Sequence, residues 1–314
     1  VSIARNRLQN PKSSRANISI IIRHYHLPMT APIVYLNGEY LPRKQATLRV
    51  DERGVYFADG VYEVVRYFNG KPFTLDEHLQ RLRRSLGGIE LAFDPAPIAQ
   101  ASDELVRRNN LPDARVYWQV TRGVAPRSHV IADGLSPTVF LSADPASVVG
   151  PNDPLQTLSA ITAFDDRWHN CWIKSLMLLP NTLARTRAAK AGAGEALFVR
   201  DGRITEGAAT NVFAVFDGEL YTHPADRYIL EGITRNVIID LARGLGIAVH
   251  EQAFNAVDLH AVDELMVTGT GSLLMAVTQV DGKPIADARP GPVTQQLWQA
   301  LLNRIGQDCP RSQA

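Results

Sequence analysis

Apolar and polar positions alternate in short runs broken by Asn-Gly and Asp-Gly pairs, which is the pattern of hairpins rather than of long helices. Ile33–Leu36 and residues 39–41 flank Asn37-Gly38; residues 61–68 end at Asn69-Gly70, and the strand pattern resumes around Pro72-Phe73. Asp201-Gly202 and Asp217-Gly218 mark two more hairpins, and single strands read at 115–122, 138–142, 155–162 and 264–268. Helical spacing interrupts the strands. Thr74-Leu75-Asp76-Glu77 has the form of a capping box opening a helix with Leu79, Leu82 and Leu86 on one face, and Gly87-Gly88 is expected to stop it. Further helices are expected near 97–108 and 182–191 and after Gly232, the last with Val237, Ile238, Leu241 and Leu245 as its stripe and Gly244 to Gly246 as its end.

This mixture predicts an α+β fold in two domains. The Pro-, Asp- and Val-containing stretch after Ser142 has no clear period and serves as the linker. The expected division is a small N-terminal α/β domain at 31–144, a linker at 145–154 and a larger C-terminal domain at 155–314. A Rossmann domain is excluded, because no Gly-x-Gly-x-x-Gly follows a strand with an acidic residue downstream.

Composition narrows the function classes. The 314 residues are 45% hydrophobic and 21% charged, ordinary for a globular enzyme, and no apolar run approaches a membrane span. Residues 1–28 carry Arg5, Arg7, Lys12, Arg15 and Arg23 and no acid; without these five charges the formal net charge falls from +1 to −4, so no basic nucleic-acid-binding face is expected. Met29 directly precedes a strand-like run, so residues 1–30 read as a basic leader, disordered or upstream of the true start, in preference to a transit peptide. Two cysteines, Cys171 and Cys309, suggest a cytoplasmic setting and no disulfide framework, and no Cys/His cluster has metal-ligand spacing.

Four segments could carry chemistry. Lys174 stands among Trp172, Ile173, Leu176 and Met177. Desolvation there would yield a neutral, nucleophilic amine for carbonyl chemistry, although an outward-pointing lysine on an alternating strand has the same pattern. Glu206, in Thr205-Glu206-Gly207, is either a solvated turn residue or the carboxylate that keeps a pyridine nitrogen protonated. Gly232-Ile233-Thr234 opens a helix, and Thr268-Gly269-Thr270-Gly271-Ser272 forms a tight turn; both could hold a phosphate, with Arg81 one helical turn after His78. Arg127 and His129, in a loop after a strand, could converge on a carboxylate or simply be polar loop residues.

Taken in order, Glu52-Arg53-Gly54, Phe57 through Val65, Glu77 through Arg81, Ile173 through Leu176, Thr205-Glu206-Gly207 with Asn211-Val212-Phe213, and Leu230 through Arg235 resemble the fold-type IV pyridoxal-phosphate enzymes. Among these the D-amino-acid aminotransferases are most similar, over residues 33–279. The resemblance implies pyridoxal 5′-phosphate bound to Lys174, which also moves the α-proton, with Glu206 at the ring nitrogen. It implies further that Arg81 and the amides near Ile233, Thr234 and Thr270 hold the phosphate, and that Leu230 packs on the ring. Tyr62 and Tyr117 would lie near the substrate. Pro126-Arg127-Ser128-His129 matches the D-specific loop that traps the α-carboxylate across a dimer interface.

The implied activity is transfer of amino groups between D-alanine or D-glutamate and 2-oxo acids by a ping-pong mechanism in a homodimer. The rivals are an L-branched-chain aminotransferase, an (R)-amine transaminase, aminodeoxychorismate lyase, and a non-catalytic cofactor-binding protein. Ala58, Ala208 and Ala209 depart from the family pattern, replacing a glycine and two serines.

Overall fold

The computed structural model describes residues 32–311; the basic leader lies outside them. The first half runs β1 (Ile33–Leu36), β2 (Glu39–Pro42), α1 (Arg53–Phe57), β3 (Gly60–Phe68), β4 (Lys71–Pro72), α2 (Leu75–Gly88), α3 (Ala96–Arg108), β5 (Ala114–Thr121) and β6 (Thr138–Pro145). The second half begins with β7 (Gln156–Phe164), α4 (Leu179–Lys190), β8 (Glu195–Arg200), β9 (Arg203–Gly207), β10 (Asn211–Phe216), β11 (Glu219–Thr222) and α5 (Ile233–Gly244). It ends with β12 (Val249–His250), β13 (Glu264–Gly269), β14 (Leu273–Val280), β15 (Lys283–Pro284) and α6 (Pro292–Asp308).

The six strands of the first half form one antiparallel sheet in the order β2-β1-β6-β5-β3-β4. Its period-2 pattern sorts the faces: Val61, Val65 and Tyr67 on β3 and Val116, Trp118 and Val120 on β5 join Leu82, Leu86, Ile98 and Leu105 of α2 and α3 in one core. The other face, bearing Tyr62 and Tyr117, is left to a different use.

The second sheet has the order β12-β11-β10-β13-β14-β7-β8-β9, with β15 on β14. It is mixed: β7 pairs parallel with both β14 and β8. Its central strands are apolar on both faces, as burial from two sides requires. On β10, Phe213 and Val215 meet Val237 and Ile238 of α5 and Leu297, Leu301 and Ile305 of α6, whereas Val212 and Ala214 turn to a second core with Leu197, Phe254 and Leu265. Phe68, at the far end of β3, and Phe73, just after β4, insert into the α5–α6 core and tie the two sheets together.

Several local expectations need correction. Thr74 does not cap α2: the tight turn after β4 holds it at φ 56°, and its hydroxyl donates to the Phe73 carbonyl at 2.7 Å. Gly87 and Gly88 lie inside α2, and the chain turns one residue beyond Ile89, at Glu90 with φ 53°. Leu245 is 41% exposed; Ile233, Ile239 and Ala242 complete the buried face of α5 instead. Helices α1 and α6 and strands β12, β14 and β15 were not expected. No helix among the described residues is long and apolar enough to cross a membrane.

Candidate active site

The open face of β3 and the loops of the second sheet enclose a cavity of about 1020 Å³, at the upper end of the range for small-molecule sites. Of the expected site residues, Tyr62, Arg81, Lys174, Glu206, Leu230, Ile233, Thr234 and Thr270 all line it. Tyr117 is adjacent, its ring stacked on Tyr62 at 5.6 Å between centroids. Arg127 and His129 are not brought in. Both are exposed and lie against Phe57, the guanidinium 5.5 Å and the imidazole 5.5 Å from its ring centre.

Lys174 is held by its backbone rather than by a regular strand. Its carbonyl accepts from Tyr62 N–H at 2.9 Å, its N–H donates to Ser85 Oγ at 3.1 Å, and Ser175 bridges to Val61. The segment is thereby laid across the start of β3. The side chain is half-buried, with Nζ 4.4 Å from the centre of the Tyr62 ring. An aromatic face beneath an amine fixes its direction without supplying a carboxylate that would hold the proton.

Glu206 ends the β8–β9 hairpin inside the protein, not in a solvated turn. Its Oε1 accepts from Arg167 Nη1 at 2.5 Å; its Oε2 accepts from Leu230 N–H at 3.0 Å and Asn211 Nδ2 at 3.2 Å. A carboxylate offers about four acceptor directions, so one remains, on Oε1. Arg167, missed in the sequence, is itself held by Asp165, and the two carboxylates hold it protonated against the cost of burial. Burial would also raise Asp165, but Arg167 and Arg200 hold it at about 2.

Arg81 reaches the cavity from α2. Glu63, quoted above only as part of a motif, takes its Nε at 2.6 Å and Nη2 at 2.8 Å, while Nη1 donates to the Glu231 carbonyl at 2.8 Å. A guanidinium has five N–H groups, so one stays available on each terminal nitrogen. His78 Nδ1 completes the buried cluster at 2.8 Å from Glu63 Oε2. Burial pushes Glu63 upward, yet Arg81 and then His78 hold its carboxyl far below the ordinary range; burial pushes His78 down, against the pull of Glu63.

The start of α5 follows from glycine. No side chain caps the helix at Gly232, so the amides of its first turn lack intrahelical acceptors and face the cavity. A Cβ on Gly232 would fall 1.9 Å from Asn211 Oδ1. Asn211 in turn holds both Glu206 and the Leu230 carbonyl, the latter at 2.8 Å. Opposite lies the Thr268–Gly271 turn, where Thr268 Oγ1 is buried in the cavity wall with no hydrogen-bond partner among the described residues. Cys171 also lines the wall, but burial pushes its thiol up to about 11, so it is no nucleophile.

An amine, a buried carboxylate with an acceptor direction left, and amides, hydroxyls and an arginine lining one cavity fit a phosphorylated pyridine aldehyde. Among the described residues there is no group of three or more His, Cys, Asp or Glu side chains that could hold a metal ion.

Comparison with known proteins agrees. The family model described as amino-transferase class IV matches residues 60–280. The chain is 41% identical to the D-alanine aminotransferase of Bacillus licheniformis over 275 residues, 87% of this chain and 96% of that one. Among solved structures it is similar to the branched-chain amino acid aminotransferase of Escherichia coli, with TM-score 0.81 and 28% identity over 88% of this chain and 96% of the other. It is also similar to the T.th. branched-chain amino acid aminotransferase solved with pyridoxamine 5′-phosphate, with TM-score 0.81 and 25% identity over 89% and 96%. With the lysine, the buried glutamate and the uncapped start of α5 in one cavity, the chain belongs to the class IV aminotransferases, pyridoxal-phosphate enzymes of fold type IV.

Proposed function

We propose that the protein is a D-amino-acid transaminase, exchanging amino groups between D-alanine or D-glutamate and 2-oxo acids such as pyruvate and 2-oxoglutarate in a ping-pong sequence. The observation that carries this reading is Lys174 poised over Tyr62 in one cavity with Glu206 and Arg81, in a chain 41% identical to a D-alanine aminotransferase.

Pyridoxal phosphate, when bound, supplies a protonated pyridine ring that draws electrons from the substrate α-carbon. The chain's residues do the rest. Lys174 would hold the cofactor through its amine, and the same amine would take the substrate's α-proton and return it as general base and acid. Glu206 keeps the ring nitrogen protonated through its remaining Oε1 direction. Arg81, with the first amides of α5 and that of Thr270, would hold the phosphate, and Leu230 would lie beside the ring. Tyr62, backed by Tyr117, orients the substrate.

Arg127 and His129 are assigned to the substrate α-carboxylate of a second copy's site. Their exposure and distance from their own cavity support that placement and a homodimer. Both cysteines are free and buried, which supports a reducing, cytoplasmic setting.

The test is spectroscopic. The purified protein loaded with pyridoxal phosphate is mixed with D-alanine, L-alanine, L-leucine or (R)-phenylethylamine, and the visible absorbance of the cofactor is followed. Conversion by D-alanine alone, reversed by 2-oxoglutarate, is expected. Preference for L-leucine would overturn the D-specific reading and favour the branched-chain one.

A further inference from the structure

We propose that Arg115 receives the distal carboxylate of a dicarboxylic substrate, making the enzyme selective for glutamate-like amino acids and their 2-oxo acids over alanine-like ones. This inference rests on the transaminase reading above.

Strand alternation sets the direction of Arg115. Ala114, Val116, Trp118 and Val120 of β5 are all buried in the first core, so Arg115, Tyr117 and Gln119 stand on the opposite face. The register places Gln119 opposite Tyr62, Tyr117 opposite Val64 and Arg115 opposite Arg66. Tyr62, Val64 and Arg115 thus form a continuous wall, and all three line the cavity. Arg115 lies about 7 Å along the strand from Tyr117, at the rise of two residues. It stands at the far end of that wall from the Lys174 amine, which rides over Tyr62.

Across the cavity, the Thr270–Gly271 turn comes close to it. A Cβ placed on Gly271 would lie 3.7 Å from Arg115 Cδ and 4.0 Å from Nη1. The arginine stem therefore runs along the bare side of Gly271, and its guanidinium is carried to the same turn that the cofactor site uses. The cavity's other arginines enter from different elements and serve different ends. Arg81 enters from α2 with the proposed phosphate-holding groups, Arg167 stands beside Glu206, Arg185 enters from α4 and Arg235 from α5. Arg115 is the one carried by the sheet face that bears Tyr62 and Tyr117, the face on which the substrate would lie.

The chemistry of a dicarboxylic substrate points the same way. A carboxylate side chain entering this cavity would be desolvated without a donor, and the Arg115 guanidinium would meet it in a two-pronged fork.

The test uses binding as well as turnover. Calorimetry measures glutarate, with two carboxylates, and butyrate, with one, against the pyridoxal-phosphate-loaded protein and its Arg115→Gln and Arg115→Lys variants. Glutarate is expected to bind about 10- to 100-fold more tightly than butyrate. Arg115→Gln should erase that advantage while leaving butyrate within about twofold, and Arg115→Lys should restore part of it. In turnover, the KM for 2-oxoglutarate should rise by about the same factor in Arg115→Gln, with pyruvate changed less than about threefold. No glutarate advantage in the wild type, an advantage that survives Arg115→Gln, or an equal loss of both ligands would overturn the assignment. Consumption of L-glutamate in place of D-glutamate would sink the D-specific reading instead, and the Arg115 assignment would then be decided by the glutarate result.

Discussion

Glu63 clasps Arg81 through both carboxylate oxygens, at 2.6 and 2.8 Å, with neither side chain more than 5% exposed. The pair spans β3 and α2, so Arg81, the proposed phosphate ligand, is aimed by the strand that also positions Lys174. Removing one partner of such a buried pair leaves an uncompensated charge, at a cost of about 3–5 kcal/mol. Glu63→Gln should lower the midpoint of thermal unfolding and weaken pyridoxal phosphate binding by at least about tenfold, a positioning effect. Fluorescence titration of the apoprotein checks the second part; unchanged affinity would mean that Arg81 needs no orienting partner.

The same cluster makes stability depend on pH. His78 is pushed below its ordinary 6.5 by burial, so the unfolded chain takes up a proton that the folded chain refuses. Its contribution is fully present above 6.5 and is lost as pH falls from there toward the depressed folded value. Glu63, also depressed in the fold from 4.5, adds a second loss of the same sign beginning below that value. Thermal unfolding between pH 5 and 7 should therefore show a falling midpoint toward acid. His78→Asn, whose amide can still donate to Glu63, should flatten that window and leave the region below 4.5 alone. A wild-type midpoint unchanged between pH 5 and 7 would contradict a neutral, buried His78.

What could be read beforehand follows the range of each interaction. Hairpin turns at Asn37-Gly38 and Asp201-Gly202, the glycine before α5 and the lysine among apolar neighbours are local signals, and each was legible. The stripe of α6, Leu297, Leu301 and Ile305 with Trp298 and Leu302, is equally local; which core it covers is not. The partners of the site residues were illegible for a physical reason. Glu63 meets Arg81 across 18 positions, Arg167 meets Glu206 across 39, and Arg115 meets the Gly271 turn only because two sheets face each other. Thr74 shows the converse: its sequence fits a capping box, but the turn from β4 sets its backbone and the cap is lost.

Lys174 gives the sharpest chemical expectation. If Lys174 is both the covalent hold on the cofactor and the proton carrier, turnover of Lys174→Ala should fall by several orders of magnitude. Borohydride treatment of the loaded wild type followed by mass spectrometry should leave the cofactor's mass on the peptide containing Lys174, and leave none in the variant. Retained activity in Lys174→Ala would return the protein to the class of non-catalytic cofactor binders.

The exposed Arg127 loop predicts complementation between subunits. Arg127→Ala and Lys174→Ala should each be nearly inactive toward D-alanine. If Arg127 serves the partner's cavity, a mixed dimer of the two variants has one site with both residues intact. Random exchange in an equal mixture should then recover roughly a quarter of wild-type activity. Recovery of none would place Arg127 at its own subunit's site, and an active Arg127→Ala single variant would place it outside the reaction.

Gly232 ties the start of α5 to Glu206 through Asn211, and a single methyl group should uncouple them. Its backbone, at φ −72°, suits any residue, so alanine brings no conformational strain of its own. The obstacle is steric, since the added Cβ would lie 1.9 Å from Asn211 Oδ1. Asn211 must swing away and release both Glu206 and the Leu230 carbonyl. Overpacking of this kind costs about 1–3 kcal/mol. Gly232→Ala should therefore lose thermal stability and, separately, cofactor affinity. Shortening the obstructing side chain in the double variant with Asn211→Ala should restore part of the stability but not the affinity, because the link to Glu206 stays broken. A double-mutant cycle on both quantities separates the two effects. Recovery of affinity along with stability would show that Asn211 merely fills space and that Glu206 is held well enough by Arg167 and the Leu230 amide.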